Sequence, residues 1–245
     1  WLAFVFALAT LFFLLAWRLP QGRAFFSFSL VILTLYALIA LLETFSVAVL
    51  VFAISATPAV FIVQGRHRVP VRGAQRYLLV TLLAVPLLLA ATWMVNQSLI
   101  DPAQAELARL ALLPAGLGFA LLLAVFPFGT WMPALAADAP PLVTAFIFTA
   151  GQAMAVYLVA IFLHSASWSL GTPVTLEVLR FVGLVMVASG GLMAAVQNDW
   201  GRVLGYAALS DLGYLLLAFG AGSNQGMTLA LMHMVNRSIV IALMA

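Results

Sequence analysis

The 245-residue chain contains no cysteine, and all ten of its basic residues are arginine; lysine is absent. Without cysteine there are no disulfides, no thiolate metal ligands and no ligands for an iron–sulfur cluster. Charge is scarce as well. Only 7% of residues are charged, against about 25% in an ordinary soluble domain. Hydrophobic residues make up 66%, where about 45–50% is usual. Ionised side chains are costly in hydrocarbon, and a chain with so few has little polar surface to present to water. Its solvent is the lipid bilayer. The net charge of +3 comes from arginines scattered through short loops and forms no basic face, which argues against nucleic-acid binding.

Other classes fall away in the same manner. His67, His164 and His233 lack metal-ligand spacing, and no Gly-rich loop resembles a nucleotide cradle. Any redox chemistry is therefore expected on another chain. The first apolar run, Trp1 to Trp17, has no charged leading region and no cleavage site, so it does not read as a signal peptide. The chain opens without methionine and stops at Ala245 within an apolar run, as expected of a piece of a longer protein.

What remains is apolar helix. A crossing takes about 20 apolar residues. That ruler predicts an all-α, polytopic transmembrane helical bundle of about nine spans, a single transmembrane domain over residues 1–245. The spans fall near 1–17, 24–42, 45–63, 77–97, 107–128, 142–164, 176–196, 203–220 and 226–245. The run from Ala24 to Val63 is divided at Glu43-Thr44-Phe45-Ser46. Continuous apolar runs without alternation exclude barrel strands. Arg18, Arg23, Arg66, Arg68, Arg72, Arg76 and Arg202 fall on one side by span parity, and the positive-inside rule makes that side cytoplasmic. Trp17, Trp93, Trp131, Trp168 and Trp200 lie near span ends, as an aromatic belt would. Pro58, Pro86, Pro127, Gly190 and Gly191 fall at membrane depth or its edge. Pro58 and Pro127 are read as helix interruptions, since proline withholds a backbone donor.

Three stretches say more than hydropathy. One is Pro127-Phe128-Gly129-Thr130-Trp131-Met132-Pro133, continued by Ala139-Pro140-Pro141-Leu142-Val143-Thr144-Ala145. Another is Asp199-Trp200-Gly201-Arg202-Val203-Leu204-Gly205-Tyr206, followed by Ser210-Asp211-Leu212-Gly213-Tyr214. The last is His233-Met234-Val235-Asn236-Arg237. In this order and spacing they resemble the antiporter-like membrane subunits of respiratory complex I, nearest the subunit N or ND-two type, and of Mrp-type cation/proton antiporters. That family's patterns read P-F-H-x-W-L-P, A-P-x-P-V-S-A, D-x-K-R-x-L-A-Y-S-S-x-S-Q-x-G-Y and H-x-x-N-H-A-x-x-K-A-L. The likeness runs from about residue 23 to 245 and implies part of an antiporter-like fold. It also implies a proton path through buried lysine, glutamate and histidine. The physics suits that use, because a buried lysine loses proton affinity by desolvation and a nearby carboxylate restores it.

The departures fall on the expected relay. Leu122, Gly201 and Ile241 stand where the family has lysine, Gly129 and Arg237 where it has histidine, and Asp211 where it has glutamine. The family's glutamate falls on Ala53 when Pro58 is matched, or on Glu43 in a gapped register. Arginine does not substitute for lysine here, since it does not release its proton.

The proton-path candidates are therefore His233, Arg237, Asp211 and Glu43. His233 and Arg237, four residues apart, share a helical face. His233 reads either as a relay histidine biased by Arg237, or as a histidine bonded to a backbone carbonyl beside a structurally paired arginine. Asp211 is expected to neutralise one of them, and Glu43 to lie in a solvated turn. Asp199 and Arg202 read as an interfacial pair, and Glu177 with Arg180 as an i,i+3 pair.

The resemblance implies a membrane subunit of a proton-translocating NADH:quinone oxidoreductase-type complex in a bacterial cytoplasmic (inner) membrane. NADH, flavin, iron–sulfur clusters and quinone would be on partner subunits, with no cofactor on this chain. The alternatives are a non-conducting structural or assembly homologue and an unrelated secondary transporter.

Overall fold

A computed structural model describes residues 1–19, 21–22, 24–64, 72–101, 105–165 and 173–244. Arg23, Arg66, Arg68 and Trp168 lie outside the described residues, as does the side chain of His164. Among the described residues every regular element is helical. The elements are α1 (Leu2–Arg18), α2 (Phe25–Leu41), α3 (Phe45–Gln64), α4 (Arg72–Ile100), α5 (Ala105–Leu110), α6 (Leu112–Leu122), α7 (Trp131–Asp138), α8 (Pro141–Phe146), α9 (Gln152–Ser165), α10 (Pro173–Ala195), α11 (Trp200–Gly220) and α12 (Asn224–Met244). A π turn, Ile147–Gly151, joins α8 to α9 in one bulged helix.

Five helical stretches are long and apolar enough to cross a bilayer: Phe45–Gln64, Arg72–Ile100, Pro141–Leu163, Thr175–Ala195 and Trp200–Gly220. Apolar helices Leu2–Arg18, Phe25–Leu41 and Thr228–Met244 are somewhat shorter. The bulged helix is 78% buried over its most apolar stretch, whereas α10 is only 17% buried. The bulged helix is thus the axis of the bundle, and α10 lies at its edge against α11. Small residues permit that last contact: a side chain at Gly213 would meet the backbone carbonyl of Gly183 at 2.7 Å.

The span expected at 107–128 is discontinuous. α6 ends at Leu122, Ala124 takes a left-handed φ of 57°, and a 3-10 turn over Phe128–Thr130 leads into α7. α5 runs into α6 through the one helical turn residue Ala111. The 8 residues of α7 add about 12 Å beyond the break, so that the interrupted span as a whole covers a core about 30 Å thick. Open backbone at that depth needs partners inside the protein. Val125 N–H donates to the Ala120 carbonyl (2.8 Å), Phe128 N–H to Val125 (2.7 Å), and Gln152 Nε2 to Leu122 (3.4 Å). Pro127 therefore lies in a real break. Pro58 does not: α3 runs through it without interruption, because a proline can be absorbed once its freed carbonyl is accommodated by neighbours. Trp131, expected in the aromatic belt, is 2% exposed, since α7 packs between α4 and α11.

Helix ends are tied at both faces. Asp138, at the end of α7, accepts from Gly73 N–H at the start of α4 (2.8 Å). Trp200 Nε1, at the start of α11, donates to the Met244 carbonyl at the end of α12 (3.1 Å). These contacts put Arg72, Arg76 and Arg202 at one end of the bundle. Arg180 does not pair with Glu177 as its spacing suggested. It reaches across to donate Nε to the Gly220 carbonyl (2.6 Å), where a cation meets the negative end of α11 and fills an orphan acceptor. Replacing Arg180 with Met should lower stability by about 1–2 kcal/mol, measured as Tm in detergent, and Arg180→Lys should recover part of the loss.

Candidate functional site

α11 begins with Asp199, whose Oδ1 accepts from Arg202 backbone N–H (2.9 Å). The predicted interfacial pair is thus a helix cap through the arginine's backbone, not a bond between side chains. Three turns along, Asp211 faces α12, and there the expected ionisable residues converge. His233 Nε2 lies 3.0 Å from Asp211 Oδ1 and 3.2 Å from the Asp211 carbonyl. Arg237 Nε lies 2.9 Å from Asp211 Oδ2, an ion pair whose N–H is not aligned as a hydrogen bond.

Arg237 is 1% exposed, and a guanidinium in that position requires partners for all its donors. Nη1 donates to the Phe148 carbonyl in a short bond and Nη2 to the Ala208 carbonyl at 3.3 Å. Phe148 lies in the π turn, where the helix widens to i→i+5 bonding and its regular i→i+4 ladder is interrupted. One side chain thereby joins α12, α11 and the axial helix. Tyr214 meets His233 edge-on, with ring centroids 6.1 Å apart.

The cluster is closed on one side and open on the other. A lateral recess of about 310 Å³ beside it is lined by Ser210, Asp211, Tyr214, Arg237, Val240 and Ile241. The side chains of Asp211 and His233 keep 29% and 25% of their exposure, while that of Arg237 keeps none. Asp211 is thus reachable from this recess, of whose wall Arg237 is also part, while His233 is exposed outside its lining. Glu43 is exposed in the link between α2 and α3 and takes no part in the cluster. Among the described residues no group of three or more His, Asp or Glu side chains is placed to hold a metal.

The positions that depart from the family pattern are filled by packing. Leu122, Ile241 and Ala53 are buried at 5%, 4% and 7% exposure. A side chain at Gly201 would run into the Ala136 carbonyl and, at 2.9 Å, into Ala137 Cα. One at Gly129 would strike the Ala124 carbonyl and Leu209. α7 sits so close to α11 that the room a lysine or histidine would need there is occupied by backbone.

Sequence reasoning missed two parts of this arrangement. The Phe148 and Ala208 carbonyls carry no side-chain signature, and a π turn has none in composition. Asp138 went unnoticed because its partner, a backbone N–H at Gly73, is 65 residues away in sequence.

A helical bundle with a discontinuous span and an intramembrane ion cluster is an integral membrane protein. More particularly, the chain belongs to the NADH:quinone oxidoreductase/Mrp antiporter transmembrane family, whose model matches residues 45–244. It is 39% identical over 112 residues to NADH-quinone oxidoreductase subunit N of Nitrosospira multiformis, covering 45% of this chain and 21% of that one. It is 34% identical over 122 residues to the chloroplastic NAD(P)H-quinone oxidoreductase subunit 5 of Nuphar advena, covering 49% of this chain and 16% of that one. In fold it is similar to a chain of the Mrp complex from a Dietzia species, with a TM-score of 0.69 at 20% identity, over 81% of this chain and 39% of the other. The matches therefore span well under half of each relative's length.

Removing one partner of a fully buried ion pair costs about 3–5 kcal/mol, whereas replacing both with apolar groups is often neutral. Asp211 keeps some exposure, so Asp211→Asn should cost somewhat less, about 2–3 kcal/mol. The double variant Asp211→Leu/Arg237→Met should lie closer to the wild type than either single change. Thermal unfolding in nanodiscs measures the cycle.

Proposed function

We propose that this chain is a membrane subunit of a proton-translocating complex of the NADH:quinone oxidoreductase type, seated in a bacterial cytoplasmic membrane. Its other membrane subunits are its neighbours, and NADH, flavin, iron–sulfur clusters and quinone are handled by partner subunits. The chain has no cysteine to ligate a cluster. The single observation that carries this reading is the cluster of Asp211, His233 and Arg237, in a chain whose family builds such sites. Intramembrane ionisable groups are costly and are kept where they work.

On this reading each residue has a part. Arg237, buried and unable to release a proton, neutralises Asp211 and holds it in place. His233 is the group that exchanges. With Nε2 directed at Asp211, its Nδ1 is the atom that gains or loses the proton. Loading it adds one positive charge to a site that is otherwise a neutral pair. One loading site replaces the row of lysines in this part of the protein.

A second reading, a non-conducting element of the membrane arm, is favoured by the close approach of α7 and α11 at Gly201 and the apolar filling at Leu122 and Ile241. A solute transporter using Arg237 as an anion site is disfavoured, because that guanidinium is already neutralised by Asp211 and donates to two backbone carbonyls.

Purification of the native protein in gentle detergent with mass spectrometry of what accompanies it tests the assignment to a complex. Flavin- or cluster-bearing hydrophilic subunits are expected, and a lone or homo-oligomeric protein sinks it. Proton flux in proteoliposomes of the complex separates the two family readings. His233→Gln should cut flux at least tenfold if His233 loads the proton and leave it unchanged if the chain is structural. Gly201→Lys should not raise flux, and should lower stability.

A further inference from the structure

The arginine-bearing end of the bundle contains a recess that the proton site does not use. It occupies about 510 Å³ between the first turns of α4 and the start of α7, and is lined by Arg72, Gln75, Arg76, Leu79, Thr130 and Trp131. Residues 72, 75, 76 and 79 follow the i, i+3, i+4, i+7 spacing of one helical face. The recess is therefore graded along α4, with two guanidiniums at the water end and Leu79, 57% exposed, one turn deeper. Below it the exposed surface of α4 continues apolar through Leu82 and Leu83.

Both arginines are exposed, and neither is ion-paired to a described carboxylate. The nearest acid in the fold, Asp138, is engaged with Gly73 N–H and so already caps the start of α4. The inner wall is Trp131, held at 5.2 Å from the ring of Tyr77. Its indole N–H lies buried without a hydrogen-bond partner among the described residues. A fixed aromatic wall, two uncompensated guanidiniums and an apolar track leading into the bilayer describe an amphiphile with an anionic head. Free anions would use the guanidiniums but not the track.

We propose that this recess binds one anionic phospholipid of the adjoining leaflet, its phosphate between Arg72 and Arg76 and an acyl chain along Leu79. Guanidinium pairs phosphate oxygens through paired N–H donors, and basic recesses at the cytoplasmic edge of transmembrane helices recognise anionic headgroups in this way. The lipid bridges α4 and the start of α7, two elements that the Asp138–Gly73 bond also joins. It thus supports the second half of the discontinuous span without touching the Asp211 cluster.

The test is lipid retention by native mass spectrometry of the purified protein, exchanged into micelles doped with phosphatidylglycerol or phosphatidylcholine. Phosphatidylglycerol should be retained and phosphatidylcholine not. Arg72→Gln/Arg76→Gln should weaken retention at least tenfold, and Arg72→Lys/Arg76→Lys should restore most of it, a pattern that misfolding would not produce. Equal retention of both lipids, or retention unchanged in the Gln pair, overturns the proposal. Displacement of the lipid by millimolar inorganic phosphate also overturns it, by showing that the site takes a free anion.

Discussion

A guanidinium placed among hydrocarbon side chains must be neutralised and hydrogen-bonded where it lies, because water is not there to do it. Arg237 imposes that requirement on this bundle. It draws Asp211 from α11 for its charge and two backbone carbonyls for its remaining donors. One of those carbonyls belongs to the π turn of the most buried helix. The axial helix, α11 and α12 are consequently held in one register, and His233 is positioned by the same carboxylate. A lysine at the same point would offer a compact charge without the flat fork of donors that reaches three helices at once.

The same economy of space explains where the family's other charges went. α7 is the second half of a discontinuous span and lies against α11 at backbone distance. Glycine at 201 and 205 makes that approach possible. Once the approach exists, a long ionisable side chain there has nowhere to go. Leu122 and Ile241 are buried and apolar as well. Close packing and a row of buried bases compete for the same volume, and at Gly201 packing has taken it. Ionisable chemistry is left where α11 meets α12, beside a recess that Asp211 and Arg237 line.

Much of the fold was legible beforehand because hydrocarbon is a severe solvent. Span positions follow from run length alone, and the seven acidic residues are few enough to weigh one by one. The four-residue step from His233 to Arg237 placed them on one face, and the lone acid of the preceding helix pointed to their partner. Less was legible wherever backbone took the part of a side chain. Asp199 bonds the Arg202 amide and not its guanidinium, and Arg180 prefers a helix-end carbonyl on α11 to a carboxylate on its own helix. Pro58 and Pro127 look alike in sequence. Only the latter lies in a break, and the segment after it resumes as a separate helix packed between α4 and α11.

Composition by itself therefore determined the solvent, the helical class and the exclusion of thiolate and cluster chemistry, since these depend on which residues are present and not on where they meet. Spacing within single helices determined which residues share a face, because 3.6 residues per turn is a local rule. Tertiary structure alone decided that α7 packs between α4 and α11, that Arg237 closes on a π-turn carbonyl, and that Gly201 abuts Ala136. Each of these contacts has a backbone partner distant in sequence, and backbone atoms are the same in every residue, so no pattern of side chains announces it.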